Sequence, residues 1–186
     1  MYSRICIFGR PGSGKSTFAL KVHTRTGIPL IHLDRFFYTS NWAERDYQEF
    51  LTIQQGTVNT NRWIIDGNSL KSLEIRYSHA QICLYFNYPR WVCLWRLIKR
   101  IFSKNSLIKD RAEGCQENLR WRLIKYMWTF ESRQNNRLVH LIAMLRARYP
   151  HVQFIEIRND DELKKVAKLF ECVKKVKKAK VRTNQK

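Results

Sequence analysis

Acidic side chains are scarce in this chain. Only 15 Asp and Glu stand against 35 Lys and Arg, a net charge of +20 with neutral His. The partners of a chain so cationic are expected to be anionic: nucleotides, nucleic acid or an acidic membrane face. Cysteine is equally uninformative as scaffold material: there are five, at 6, 83, 93, 115 and 172, odd in number and without a CxxC pair. That excludes a disulfide framework and a zinc ribbon, and points to reduced, buried thiols in the cytoplasm. No apolar run approaches the roughly 18 residues of a membrane span, and the short run Ile5–Phe8 is too brief for a signal-peptide core. Proline and glycine are few, 4 and 7 in 186 residues, and no Ser/Pro/Gly-rich linker or internal repeat divides the chain. One domain is therefore expected over 1–173, with a basic tail at 174–186 that holds seven Lys or Arg in thirteen residues and no acid.

What is present is ample for a core: 44% hydrophobic and 13% aromatic residues. Short apolar runs at Arg4–Phe8, Leu30–Leu33, Trp63–Ile65, Ile82–Phe86 and Val152–Ile157 read as strands covered on both faces. Helical patterns lie between them at 15–25, 44–55, 91–102, 116–130, 135–148 and 160–173. This alternation predicts an α/β fold with right-handed crossovers and a parallel sheet in three layers. The polar stretch 103–114, with Lys104, Lys109 and Arg111, reads as an excursion loop that could serve as a lid.

The seven glycines are not spread evenly. Three fall in Gly9-Arg10-Pro11-Gly12-Ser13-Gly14-Lys15-Ser16-Thr17, which matches the phosphate-loop pattern G-x-x-x-x-G-K-[ST] between a strand and a helix. Glycines at 9, 12 and 14 let backbone N–H groups and the helix N-terminus, with Ser13 among them, face a phosphate. Lys15 then reaches the β- and γ-phosphates of ATP, Ser16 carries Mg²⁺, and Thr17 faces the α-phosphate. Asp66, at the end of the third strand, is the expected acid beside Mg²⁺, and Asp34, at the end of the second, faces the same crevice. Taken singly, either Asp could be a helix cap or turn residue.

Arg96 and Arg100, four apart, share one helix face, and Arg111 lies in the loop beyond; together they are candidates for stabilising a transferring phosphoryl group. A solvated basic face is the alternative, and it is favoured for Arg120 and Arg122. Arg76 is a candidate for gripping an acceptor phosphate or carboxylate. Trp91 with Trp95, and Trp121 with Trp128, stand at helical spacing and read as core packing, while His32 and His79 read as structural.

These residues carry a resemblance. The loop 9–16, the Asp66-Gly67 pair, Arg96-x-x-x-Arg100 before a basic loop, and Arg158-Asn159-Asp160 after the last strand resemble the adenylate kinase-like group of P-loop kinases, which includes nucleoside monophosphate kinases and shikimate kinase. Ile31-His32-Leu33-Asp34, Trp63–Asn68, Tyr88–Arg96 and Ala112–Cys115 are more similar to the bacterial DNA topology modulation (FlaR-like) proteins, over about residues 4–162. The resemblance implies a P-loop NTPase fold with a lid at 103–114. It also implies Arg96 and Arg158 flanking the adenine, Arg100 and Arg111 on phosphates, and ATP and Mg²⁺ as cofactors. Adenylate kinases follow Asp-Gly with a Pro-Arg pair that binds the monophosphate; here Asn68-Ser69 follow. Asp34 is similar to the acid that binds the acceptor hydroxyl in small-metabolite kinases, where it serves as base. The implied reaction is transfer of the γ-phosphoryl group to a small acceptor, a nucleotide or a hydroxylated metabolite. A nucleotide-binding regulator associated with nucleic acid, or a weak NTPase, is the alternative.

Overall fold

The computed structural model describes residues 2–37, 45–102 and 137–171, with the side chains of 100–102 left aside. Arg111, the stretch 103–114, the helix expected at 116–130 with its Arg120, Trp121, Arg122 and Trp128, Cys115, Cys172 and the tail 174–186 lie outside the described residues. So does the side chain of Arg100.

The chain runs β1 (Arg4–Gly9), α1 (Lys15–Thr26), β2 (Leu30–His32), α2 (Leu33–Phe37), α3 (Tyr47–Val58), β3 (Trp63–Asp66), α4 (Leu73–His79), β4 (Ile82–Phe86) and α5 (Arg90–Phe102). A helix α6 over 137–148, then β5 (Gln153–Ile157) and α7 (Asp160–Lys168) complete it. The sheet has the order β2-β3-β1-β4-β5 and every neighbouring pair is parallel. Alternate strand residues feed two cores. Ile5, Ile7, Ile64, Ile82, Leu84 and Phe86 pack with Phe18 and Val22 of α1, Cys93 and Leu97 of α5 and Val166 of α7. Cys6, Phe8, Trp63, Ile65, Cys83 and Tyr85 pack with Phe50 of α3, Leu73 and Tyr77 of α4, and Leu138, Ile142 and Leu145 of α6. Both strand faces must therefore be apolar, which is why the strands read as unbroken hydrophobic runs. Among the described residues no helix is long and apolar enough to cross a membrane.

The element boundaries differ from expectation for local reasons. The second strand stops at His32, and Leu33–Phe37 form a short helix that places Asp34 in a first helical turn instead of at a strand end. The next helix starts at Tyr47, not Glu44, because the Asp46 carboxylate caps it, accepting from the Gln48 and Glu49 amides at 3.0 Å each. The last helix gives out at Lys168 instead of continuing to Val173, and Phe170 turns in against Phe18 and Tyr2. Helix α4 carries too few turns for its periodicity to stand out from the loop before it.

Candidate functional site

The helix after β1 packs on one face of the sheet and the helix after its neighbour β3 on the other; the crevice at such a switch point is where ligands bind in parallel sheets. The loop 9–14 stands there. Gly9 has φ 135°, and a Cβ on it would stand 2.3 Å from the Phe86 carbonyl oxygen, so the strand can enter the loop only with glycine at this position. The turn is closed by the Arg10 amide donating to the Phe86 carbonyl at 2.9 Å. The Arg10 carbonyl in turn accepts from the Ser13 amide at 3.3 Å, the Ser13 hydroxyl at 2.6 Å and Lys15 Nζ at 2.8 Å. Three donors on one carbonyl draw the Lys15 ammonium, 8% exposed, into the curve of the loop. Gly14 caps α1 in a left-handed conformation and directs the first turn, with Ser16 and Thr17, at the crevice.

Beside this loop, Asp66 closes β3 and is 4% exposed. Its Oδ2 meets His32 Nδ1 at 3.1 Å, and its Oδ1 is buried with no hydrogen-bond partner. A buried carboxylate oxygen left unpaired is costly, and a hydrated divalent cation is the chemistry that would satisfy it. With the Ser16 hydroxyl on the first turn of α1, the residues present fit Mg²⁺. The turn after Asp66 is tied to β1 and the loop 9–14: the Gly67 amide donates to the Ile7 carbonyl at 3.2 Å, and Asn68 Oδ1 accepts from the Gly9 amide at 3.1 Å. Gly67 also presses on Leu33, the residue before Asp34; a Cβ on Gly67 would stand 2.6 Å from Leu33 Cβ. Asp34 is exposed at the same edge of the sheet.

Arg96 reaches the loop from α5. It donates to the Ser13 carbonyl at 2.8 Å and to Asp160 Oδ1 at 2.6 Å, and its guanidinium lies 4.4 Å from the centre of the Tyr88 ring. The Tyr88 hydroxyl donates to the same Asp160 oxygen at 2.8 Å. The hydrogen bond from Arg96, then that from Tyr88, holds the Asp160 carboxyl below its ordinary value, whereas burial pushes the Tyr88 hydroxyl well up. Burial likewise raises the Cys93 thiol against the opposing charges of Lys15, Arg10 and Arg96. A second chain runs from Arg10 Nε to Asn87 Oδ1 at 3.0 Å, from Asn87 Nδ2 to Glu156 Oε1 at 2.7 Å, and from Arg158 to Glu156 Oε2 at 2.8 Å. It edges an open cavity of about 390 Å³ that Arg10, Asn87, Tyr88, Arg90, Trp91 and Arg158 line.

Two expectations are corrected. Arg76 does not present an open fork to a ligand: it is fully buried, and its guanidinium is taken up by Gln54, Ser72 and the carbonyls of Gly67 and Ser69. Trp91 and Trp95 are not core residues; they are 63% and 60% exposed, because Cys93 and Leu97 occupy the face of α5 that meets the sheet. Of the expected loop residues, Gly9 is bonded to Asn68 beside Asp66, Ser13 to Arg96 and Lys15 to the Arg10 carbonyl, with Gly12, Gly14, Ser16 and Thr17 next to them in the chain. Three residues were given no site role from sequence: His32, which read as structural, and Asn68 and Asp160, which were named only within motifs. His32 could have been found by laying the ends of two strands side by side, since His32 and Asp66 share a register position. Asn68 and Asp160 carried no signal beyond standing next to residues already chosen.

No protein-family model and no curated sequence matches the chain. Solved structures do. A shikimate kinase from Bacteroides thetaiotaomicron is 15% identical and superposes with a TM-score of 0.52 over 92% of this chain and 99% of its own. The fold is a shikimate kinase-like P-loop fold. A shikimate kinase from Acinetobacter baumannii in complex with shikimate, 14% identical, gives a TM-score of 0.50 over 94% of each chain. In this fold the loop 9–14 follows the central strand β1, and Asp66 stands at the end of β3, which pairs with it.

Proposed function

We propose that the chain is an ATP-dependent kinase that transfers the γ-phosphoryl group to a hydroxyl of a small acceptor. The observation that carries this reading is the buried, unpartnered Oδ1 of Asp66, joined through Asn68 and Gly9 to a glycine-built loop that holds Lys15 at its centre. Such a loop binds phosphate by backbone donors, and Lys15 adds a fixed positive charge in a nearly dry setting where it counts for most. Mg²⁺ held near Asp66 and Ser16 would neutralise charge on the β- and γ-phosphates. In the transfer the acceptor oxygen bonds to the γ-phosphorus, the bond to the β–γ bridging oxygen breaks and ADP leaves; the hydroxyl proton passes to the Asp34 carboxylate. Arg100 and Arg111 supply positive charge to the transferring group, with Arg96 and Arg158 bordering the adenine and 103–114 serving as lid. One of the fold's solved relatives holds shikimate, a small hydroxylated acid, and an acceptor of that class fits an exposed Asp34 beside the phosphate loop.

The test is a panel of nucleoside monophosphates, nucleosides and hydroxylated acids incubated with Mg-ATP, with product read by mass. One acceptor is expected to gain a phosphoryl group. Asp34→Asn is expected to lower its turnover by about 10²–10⁴-fold with ATP affinity unchanged, as loss of a general base does. ATP consumption with no phosphorylated acceptor in any arm overturns the kinase reading in favour of a weak NTPase.

A second reading, a nucleotide-binding regulator associated with nucleic acid in the manner of the topology modulation proteins, draws support from one observation. The outer face of α5 presents Trp91, Trp95 and Ile98, the last 41% exposed, with the Arg90 guanidinium 5.3 Å and Lys99 Nζ 5.2 Å from the two indole centres. Exposed rings among cations are how single strands are held without sequence preference. Under this reading, affinity for an oligonucleotide falls by orders of magnitude between 50 and 200 mM salt, and Trp91→Ala with Trp95→Ala weakens it at least tenfold. A salt-insensitive titration, or a double variant that binds like the parent, removes this reading.

A further inference from the structure

Among the described residues, Arg76 is a charged side chain with no exposed surface. A guanidinium with no solvent exposure has given up its hydration, a loss usually recovered by pairing with a carboxylate. Here the acceptors are neutral. Nη2 donates to the carbonyls of Gly67 at 3.2 Å and Ser69 at 3.0 Å; Nη1 lies 3.5 Å from Gln54 Oε1 and 3.4 Å from Ser72 Oγ. Ser72 is buried as well; its Oγ accepts from Gln54 Nε2 at 3.0 Å and lies 2.8 Å from Ser69 Oγ and 3.1 Å from Gln54 Oε1. Apolar residues could fill this volume at lower cost. What they could not do is hold two carbonyls of an irregular turn at fixed angles, which the planar fork of Arg does and the single ammonium of Lys does not.

The turn so held is the one that matters to the site. Asp66 precedes it, Asn68 in its middle accepts from the Gly9 amide, and its Gly67 bears on Leu33 beside Asp34. Gln54 lies on α3 and Ser72 at the start of α4, so the guanidinium ties the two helices on that side of the sheet to the mouth of the phosphate loop. We infer that Arg76 is a positioning residue: by fixing the Gly67 and Ser69 carbonyls it sets Asn68 on the phosphate loop and the carboxylate of Asp66 toward the metal, without touching nucleotide or acceptor itself. This rests on the kinase reading for its chemistry, but the placement of the turn does not.

The experiment compares the full-length protein with Arg76→Lys, Arg76→Gln and Asn68→Ala in two measurements. Amide hydrogen exchange follows the Gly9 amide and residues 67–69; calorimetry follows binding of ATP with and without Mg²⁺. For both Arg76 variants, protection of Gly9 and of the turn is expected to fall about tenfold or more, and Mg-ATP affinity to fall by a similar factor, with metal-free ATP binding much less affected. Arg76→Lys is expected to fail like Arg76→Gln, since charge alone is not what the turn requires. Asn68→Ala is expected to reproduce the Gly9 exchange and the affinity loss, and to add little when combined with Arg76→Gln, as links of one chain do. Folded Arg76 variants with parental exchange at Gly9 and in the turn overturn the inference. If those variants do not fold, Asn68→Ala decides: unchanged exchange at Gly9 overturns it. Failure of the parent protein to bind ATP counts against the kinase reading, and the exchange measurement still judges Arg76.

Discussion

Lys15→Ala is expected to lower ATP turnover by about 10²–10³-fold, the range seen when one preorganised charge-stabilising donor is removed. Lys15 is 8% exposed and its ammonium is held 2.8 Å from the Arg10 carbonyl, so it faces the loop's interior before any phosphate arrives. Little reorganisation is then required at the moment of transfer, and the low local dielectric keeps its field from being screened. No other residue of the loop carries a cation there: Arg10 points through Nε to Asn87 at 3.0 Å, and Arg96 donates to the outward Ser13 carbonyl. Stability should not follow activity. Position 15 opens α1, where alanine is a better helix former than lysine, and the substitution removes a nearly buried charge. Steady-state turnover beside a denaturant melt separates the two; a variant that keeps its turnover takes Lys15 out of the mechanism.

Gly9→Ala should act the other way, through the fold. Gly9 pairs with Phe86 at the end of the β1–β4 ladder, and a Cβ there would collide with the Phe86 carbonyl and amide, all backbone atoms that cannot swing aside. The φ of 135° adds strain for any L side chain. A loss of about 4 kcal/mol or more is expected, at the far end of what single substitutions do, visible as a lower denaturation midpoint. Gly56→Ala makes the matching control. It lies inside α3 with nothing within 4 Å of a Cβ, so the same chemical change is expected to stabilise by about 0.5–1 kcal/mol. If both substitutions shift the midpoint alike, backbone crowding at Gly9 is not the cause.

The strands were legible because each is buried on both faces and therefore written as a continuous apolar run; the loop 9–14 was legible because its glycines and lysine stand at the fixed spacing of the G-x-x-x-x-G-K-[ST] pattern. What stayed hidden depends on which of several similar residues wins a place. Helix α5 offers Cys93, Leu97, Trp91 and Trp95 at turns of equal spacing, and one helix can seat only one such stripe against a sheet; the smaller pair took it. Arg76 read as a ligand-gripping cation because nothing around it in sequence announces burial, its partners being 4, 7, 9 and 22 residues away. Asp34 was expected to end a strand, and the short helix that displaces it begins where Leu33 meets Gly67, a contact between segments more than thirty residues apart.

The two thiols at the centre of the sheet keep a record of a different kind. Cys6 and Cys83 occupy one register position on β1 and β4, neither has any exposed surface, and burial holds the Cys83 thiol well above its ordinary value. An alkylating reagent attacks only a thiolate it can touch. Each alkylated Cys83 thus marks a molecule whose two middle strands have come apart, so the labelling rate in buffer alone is a clock for how often the folded sheet opens.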